Sequence, residues 1–225
     1  MRGFFLGPMY MKIKYFLKRC YVMEWNYFRT KLRFPLIFIV VTFLICTTFF
    51  FFGLSQEPKF AIRSVKNLAE IYHYKEVYGP NRLGTSLNIF LGNIKVAVVI
   101  GISGIIPFLF FPIWNILIWG FAIGAATVAA KVKGMSLIYF LFFGILPHGI
   151  FELLAIFYSM SIGTLICNEI SKKLIRRRNV KTNSISIFNI AKNTARSYVL
   201  VIIPLLALAA VIEAFITSLL IGSIR

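Results

Sequence analysis

Polarity along this chain comes in long blocks, not in the short alternations of a soluble domain. Phe34 to Gly53 contains no charged residue, and such a block is long enough to cross a hydrocarbon core of about 30 Å as a helix. Four further apolar blocks follow, at about 86–106, 113–130, 136–167 and 198–221. The pattern predicts an all-α fold: a polytopic transmembrane helix bundle of about five spans. A helix satisfies its own backbone groups where water cannot.

The fourth block is anomalous. Its 32 residues would extend about 48 Å as one straight helix, well beyond the core of a bilayer. Pro147 stands near its middle. Proline lacks a backbone donor and clashes with the carbonyl four residues back, so a broken or strongly kinked fourth segment is predicted at Pro147. Between the second and third blocks, Pro107 to Pro112 carries no charge. A turn this apolar is predicted to sit in or at the edge of the bilayer, shielded by protein.

The polar segments divide into two kinds. Ser55 to Gly92 mixes both signs of charge and predicts a short helix around Ile62 to Tyr78, closed by Gly79-Pro80-Asn81. Residues 1–33 and Asn168 to Ser197 are basic instead, each with eight Lys plus Arg against one acid, Glu24 and Glu169 respectively. The N-terminal stretch is predicted to lie on the cytoplasmic membrane surface, its Phe and Tyr dipping into the interface.

Composition sharpens this picture. The chain is 59% hydrophobic and only 14% charged, with a mean hydropathy of +0.83, whereas soluble domains carry about 25% charged residues. Net charge is +18, from 25 Lys plus Arg against seven Glu and no Asp. In a soluble protein such a balance would suggest nucleic acid, but no nucleic-acid-binding module is present. The charge reads as cationic loops held against anionic lipid headgroups. Five spans with a cytoplasmic N-terminus and an outward C-terminus place sixteen of the 25 basic residues inside, the usual bias of a multi-pass cell-membrane protein. Cys20, Cys46 and Cys167 show no zinc or disulfide spacing.

The residues able to carry chemistry are few. His148 and Glu152 are four apart and so share one helical face inside an apolar run, directly after Pro147 and with Gly149 between them. Glu213 is a second acid deep in the last block. Ionisable residues at membrane depth are costly and face protein or a cavity, so His148, Glu152 and Glu213 are predicted to form one connected site. Three readings of that site compete: a structural polar clasp, a metal site with imidazole and carboxylate ligands, and a proton or ion pathway. No cofactor is demanded by the sequence; a divalent metal is the one the cluster admits. An intramembrane zinc protease needs two His four apart with a Glu beside the first, and the only other His is His73 in a loop. No Ser-His-Asp set can form without Asp. The expectation is therefore a protein that is not an enzyme.

Gly101-x-x-Gly104 and Gly120-x-x-x-Gly124-Ala125 give small faces on the second and third blocks. These predict close helix packing, as a hairpin within one protomer or as the seam of a homodimer. Asn88, Asn93 and Asn115 are expected to hydrogen-bond between helices.

These residues resemble the stage II sporulation protein M family of integral membrane proteins. The resemblance is carried by Pro147-His148-Gly149-x-x-Glu152-Leu-x-Ala155-Ile156 and by Ile212-Glu213-Ala214-Phe215-Ile216-Thr217. Asn93 before a glycine-bearing span, and Asn115 with Gly120, add to it. It implies a non-enzymatic membrane scaffold or anchor that organises other membrane proteins. In spore formers the partners so implied are cell-wall-degrading proteins of engulfment. A transporter- or permease-like component, using His148, Glu152 and Glu213, is the alternative.

Overall fold

A computed structural model describes residues 6–71, 81–176 and 187–217. Among these residues 93% are helical and no strand is present. The helices are α1 (Leu6–Tyr27), α2 (Arg33–Gln56), α3 (Pro58–Ile71), α4 (Arg82–Ser103), α5 (Phe111–Val132), α6 (Leu146–Arg176), α7 (Ile187–Ser197) and α8 (Ile203–Ile212). A single turn, Leu137–Tyr139, stands before α6. Among the described residues, five continuous helical stretches are long and apolar enough to cross a membrane: Tyr10–Gln56, Arg82–Ser103, Phe111–Val132, Leu137–Ile175 and Phe188–Thr217. The bundle is therefore all-α and polytopic, as its hydropathy predicts.

Among the described residues, four π-helical turns interrupt the regular winding, at Phe28–Leu32, Phe140–Ile145, Tyr198–Ile202 and Glu213–Thr217. The first three stand two or three residues before an intrahelical proline: Pro35, Pro147 and Pro204. Widening the turn there moves the carbonyls that the proline ring would strike and absorbs its missing donor. This alters the expectation for Pro147. The fourth segment does not part into two helices at that residue. It winds from Leu137 to Arg176, and the irregularity is displaced into the π turn before the proline. The same device joins α1 to α2, so the basic N-terminal stretch runs into the first span as helix. It also joins α7 to α8, so the last span begins inside the expected basic loop. The predicted helix over Ile62–Tyr78 is observed as α3; its last residues and Gly79-Pro80 lie outside the described ones, and Asn81 caps α4 by accepting from Leu83 N–H at 3.0 Å.

The middle of α6 is the axis of the bundle. Ala155 to Gly163 is buried without a break, the mark of a helix surrounded on all sides. Ile39 and Phe43 of α2, Ala97 and Ile100 of α4, Ile116 of α5, and Ile202 and Leu206 of the last span close around it. Phe43 meets Phe157 at 4.9 Å between ring centres. The outward face of α2 exposes Phe34, Phe38, Ile45, Phe49 and Phe52, an apolar surface suited to lipid.

The glycine faces pack inside the protomer, although not as a hairpin of the second and third spans. A Cβ on Gly104 would strike the backbone of Gly163 in α6, and one on Gly101 would strike the Tyr198 hydroxyl. Gly120 and Gly124 lie instead against α2, where added Cβ atoms would stand 3.1 Å from Cys46 Cβ and 3.0 Å from Phe50 Cβ. Small residues thus bring α4 onto α6 and α5 onto α2. The apolar link between α4 and α5 holds Phe108 and Phe110 at positive φ, 67° and 45°. It is pinned to α6 by Phe108 N–H donating to Ser171 Oγ at 2.9 Å and by Cys167 Sγ donating to the Ile106 carbonyl at 3.3 Å.

Candidate functional site

The polar centre draws on three spans. Pro147 opens α6, which puts His148 and Glu152 one turn apart on the same face. Gly149 between them is buried. Glu213 starts the π turn that ends the described part of the last span, and Thr217 closes it. Asn93 reaches in from α4. One ligand atom from each of His148, Glu152 and Glu213 lies within 4.8 Å of the other two. The Asn93 side chain is hydrogen-bonded to Glu152, and His148 Nδ1 stands 3.1 Å from Thr217 Oγ1. All three ionisable residues are half-buried, and Thr217 is buried.

The arrangement has clear chemical capacities. Imidazole and two carboxylates are ligands for first-row divalent metals. Three atoms mutually within 4.8 Å all lie within about 2.8 Å of one common point. Without a metal, the same groups can bond one another and tie α4, α6 and the last span together. Asn115 and Gly120 stand apart from this centre. Asn115 Nδ2 donates to the Phe111 carbonyl of its own helix at 3.1 Å, and Gly120 serves the α5–α2 contact. Asn88 is exposed. Of the three asparagines expected to bridge helices, Asn93 does so.

Two further polar nodes escape sequence reasoning. Glu24 of α1 is 4% exposed. Its Oε1 accepts from Tyr158 Oη at 2.7 Å and from Ser197 Oγ at 2.6 Å, and its Oε2 accepts from Arg196 Nε at 2.9 Å. The second node joins three spans: Tyr198 Oη and Ser159 Oγ both donate toward the Ala97 carbonyl, at 2.8 and 2.6 Å. A lone acid among eight basic residues was the available signal for Glu24, but its partners lie more than 130 residues away.

Fold and composition together define a multi-pass integral membrane protein with an internal polar centre and five candidate spans. The chain belongs to the Stage II sporulation protein M family, whose family model matches residues 36–218, a family of generally non-catalytic membrane proteins. The match enters the first helical stretch at residue 36 and runs through the other four to the π turn bearing Glu213 and Thr217. No curated protein and no solved structure gives a significant match to the chain.

Proposed function

We propose that this protein is a non-enzymatic membrane scaffold that holds other membrane proteins through an exposed face of α4. The observation that carries this reading is Lys95. It lies eight residues before the end of α4 and thirteen after its start, about 12 and 20 Å from the two ends. It is exposed, and among the described residues it makes no hydrogen bond or ion pair. Side chains on a helix lean toward its N-terminus, which aims Lys95 away from the nearer end. A lysine at such depth costs about 2.5–3.5 kcal/mol even on lenient scales, so a carboxylate from another chain would stabilise it. Asn88, Leu91, Gly92, Val99 and Ile102 extend the same exposed face.

A second copy of the chain cannot supply that carboxylate from its described residues. Glu24 is buried in its own ion pair, Glu169 pairs with Lys172 at 3.8 Å, and Glu152 and Glu213 form the polar centre. Glu57 and Glu70 lie beside or on α3, outside the spans. The occupant that fits is a different membrane protein with Asp or Glu inside its transmembrane helix. A cell-wall-degrading protein anchored by one such helix, the kind of partner the family implies in spore formers, suits this face. A transporter would instead line a cavity with its polar centre.

The test is site-specific photo-crosslinking from position 99 in native membranes. Expected adducts are membrane proteins with an intramembrane acid, and Lys95→Met should abolish them while leaving the bundle folded. Adducts to a second copy of this chain alone, or adducts unchanged in Lys95→Met, would sink the proposal.

A further inference from the structure

The structure assigns a cation to the polar centre: we propose that His148, Glu152 and Glu213 bind one divalent first-row transition metal, with Asn93 as an additional oxygen donor. This inference is independent of the α4 docking face. Geometry comes first. The three ligand atoms lie within about 2.8 Å of one point, and transition-metal bonds to His and carboxylate are about 2.0–2.2 Å. Each side chain needs to close by less than an ångström, within ordinary rotamer adjustment. Asn93, already bonded to Glu152, contributes either its amide oxygen or an outer hydrogen bond that orients the carboxylate.

Charge balance favours a doubly charged occupant. Two carboxylates and one imidazole stand together at membrane depth. One divalent cation with a neutral imidazole brings the set to zero, which removes the cost of isolated charge in a low-dielectric interior. Imidazole selects a transition metal over calcium or magnesium, which take oxygen ligands.

The second observation is the histidine's support. With Nδ1–H donating to Thr217 Oγ1 at 3.1 Å, the ring's lone pair is on Nε2 and that nitrogen is the one left to take a metal. Bound metals are held in this way, with the second ring nitrogen donating to a fixed acceptor. Backbone form points the same way. Three of the four π turns precede prolines, but no proline follows Glu213–Thr217 in the sequence. That turn carries one of the three ligands and the histidine's support, and π turns are frequent at functional sites.

The test uses full-length protein with a tag free of histidine, purified in mild detergent without chelator. Elemental analysis should find about one zinc, manganese or iron per chain, the single site the geometry provides. His148→Ala and Glu213→Gln should lose it, while Asn115→Leu, whose side chain bonds its own helix apart from the centre, should retain it. Thr217→Val keeps the volume and removes the acceptor, and zinc affinity should fall about 10–100-fold. X-ray absorption at the metal edge should show nitrogen and oxygen ligands, which covers the case of variants that fail to fold. The proposal is overturned if the native protein holds no metal and added Zn²⁺ or Mn²⁺ leaves its melting temperature unchanged. It is equally overturned if folded His148→Ala or Glu213→Gln retains the native metal content, or if the absorption edge reports sulfur ligands.

Discussion

Replacing Glu24 by Gln preserves the side chain's volume and removes its charge, so it isolates what the carboxylate does at the junction of α1, α6 and α7. Glu24 receives three hydrogen bonds, one of them from Arg196, whose side chain is 13% exposed. In Glu24→Gln the guanidinium keeps its burial and loses its counter-charge. Breaking a buried pair from one side costs about 3–5 kcal/mol. An amide also turns an N–H₂ toward one set of donors, and a stranded buried hydroxyl costs about 1–3 kcal/mol. These effects overlap, and we expect a loss of about 3–5 kcal/mol, more than a hundredfold in the folded-to-unfolded ratio. The assay is equilibrium unfolding in mixed detergent and SDS micelles, followed by the three tryptophans. Arg196→Met should cost a similar amount, and the double substitution should cost far less than the two combined, because neither charge is then left alone. Glu24→Gln within about 0.5 kcal/mol of the native protein, or fully additive effects, would refute the reasoning.

Three other outcomes are expected. With the N-terminus inside and the C-terminus outside, a cysteine placed near Asn81 should be labelled by an impermeant reagent applied from outside, and one near Asn179 should not; the reverse pattern defeats this orientation. Peptides of residues 1–33 and 168–197 should bind anionic vesicles with about 1 kcal/mol per basic residue near the surface and lose that binding as salt rises; equal binding to neutral vesicles would contradict it. At the α4–α6 crossing, a Cβ on Gly163 would stand 2.7 Å from Pro112 Cγ and 2.9 Å from the Ile100 carbonyl, whereas Gly53 has nothing within 4 Å. Gly163→Ala should therefore lower thermal stability by about 1–3 kcal/mol while Gly53→Ala does not, and equal melting temperatures would count against that crossing.

Sequence alone carried the span count because membrane thickness is a length rule and each apolar block meets it. It placed His148, Glu152 and Glu213 together through cost: few ionisable groups can stand alone in lipid, so they converge. What it missed depends on helix phase and on distant partners. Pro147 predicts an irregularity, but whether the chain breaks or widens into a π turn is decided by neighbours that hold both sides in line. Lys95 sits inside a block that reads as apolar on average, and whether it faces core or lipid is a matter of rotation about α4. The glycines signal close approach without naming the approached helix, so the expected hairpin partner gave way to Gly163 and Cys46.

The Glu24 clasp also has a consequence for how the chain is made. Its partners Tyr158, Arg196 and Ser197 follow it by 134, 172 and 173 residues. The first helix therefore leaves the ribosome before any of this acid's partners in the folded bundle has been made. It stays without its charged partner Arg196 while three more spans are inserted. Arg196 and Ser197 lie in the first turns of the fifth helical stretch, Phe188–Thr217, so the clasp can close only as the last transmembrane segment is being delivered. Closure of this one contact reports that synthesis has reached the final span. A chain truncated before Ser197 would keep its N-terminal helix undocked, a ready mark by which membrane quality control could distinguish unfinished molecules from complete ones.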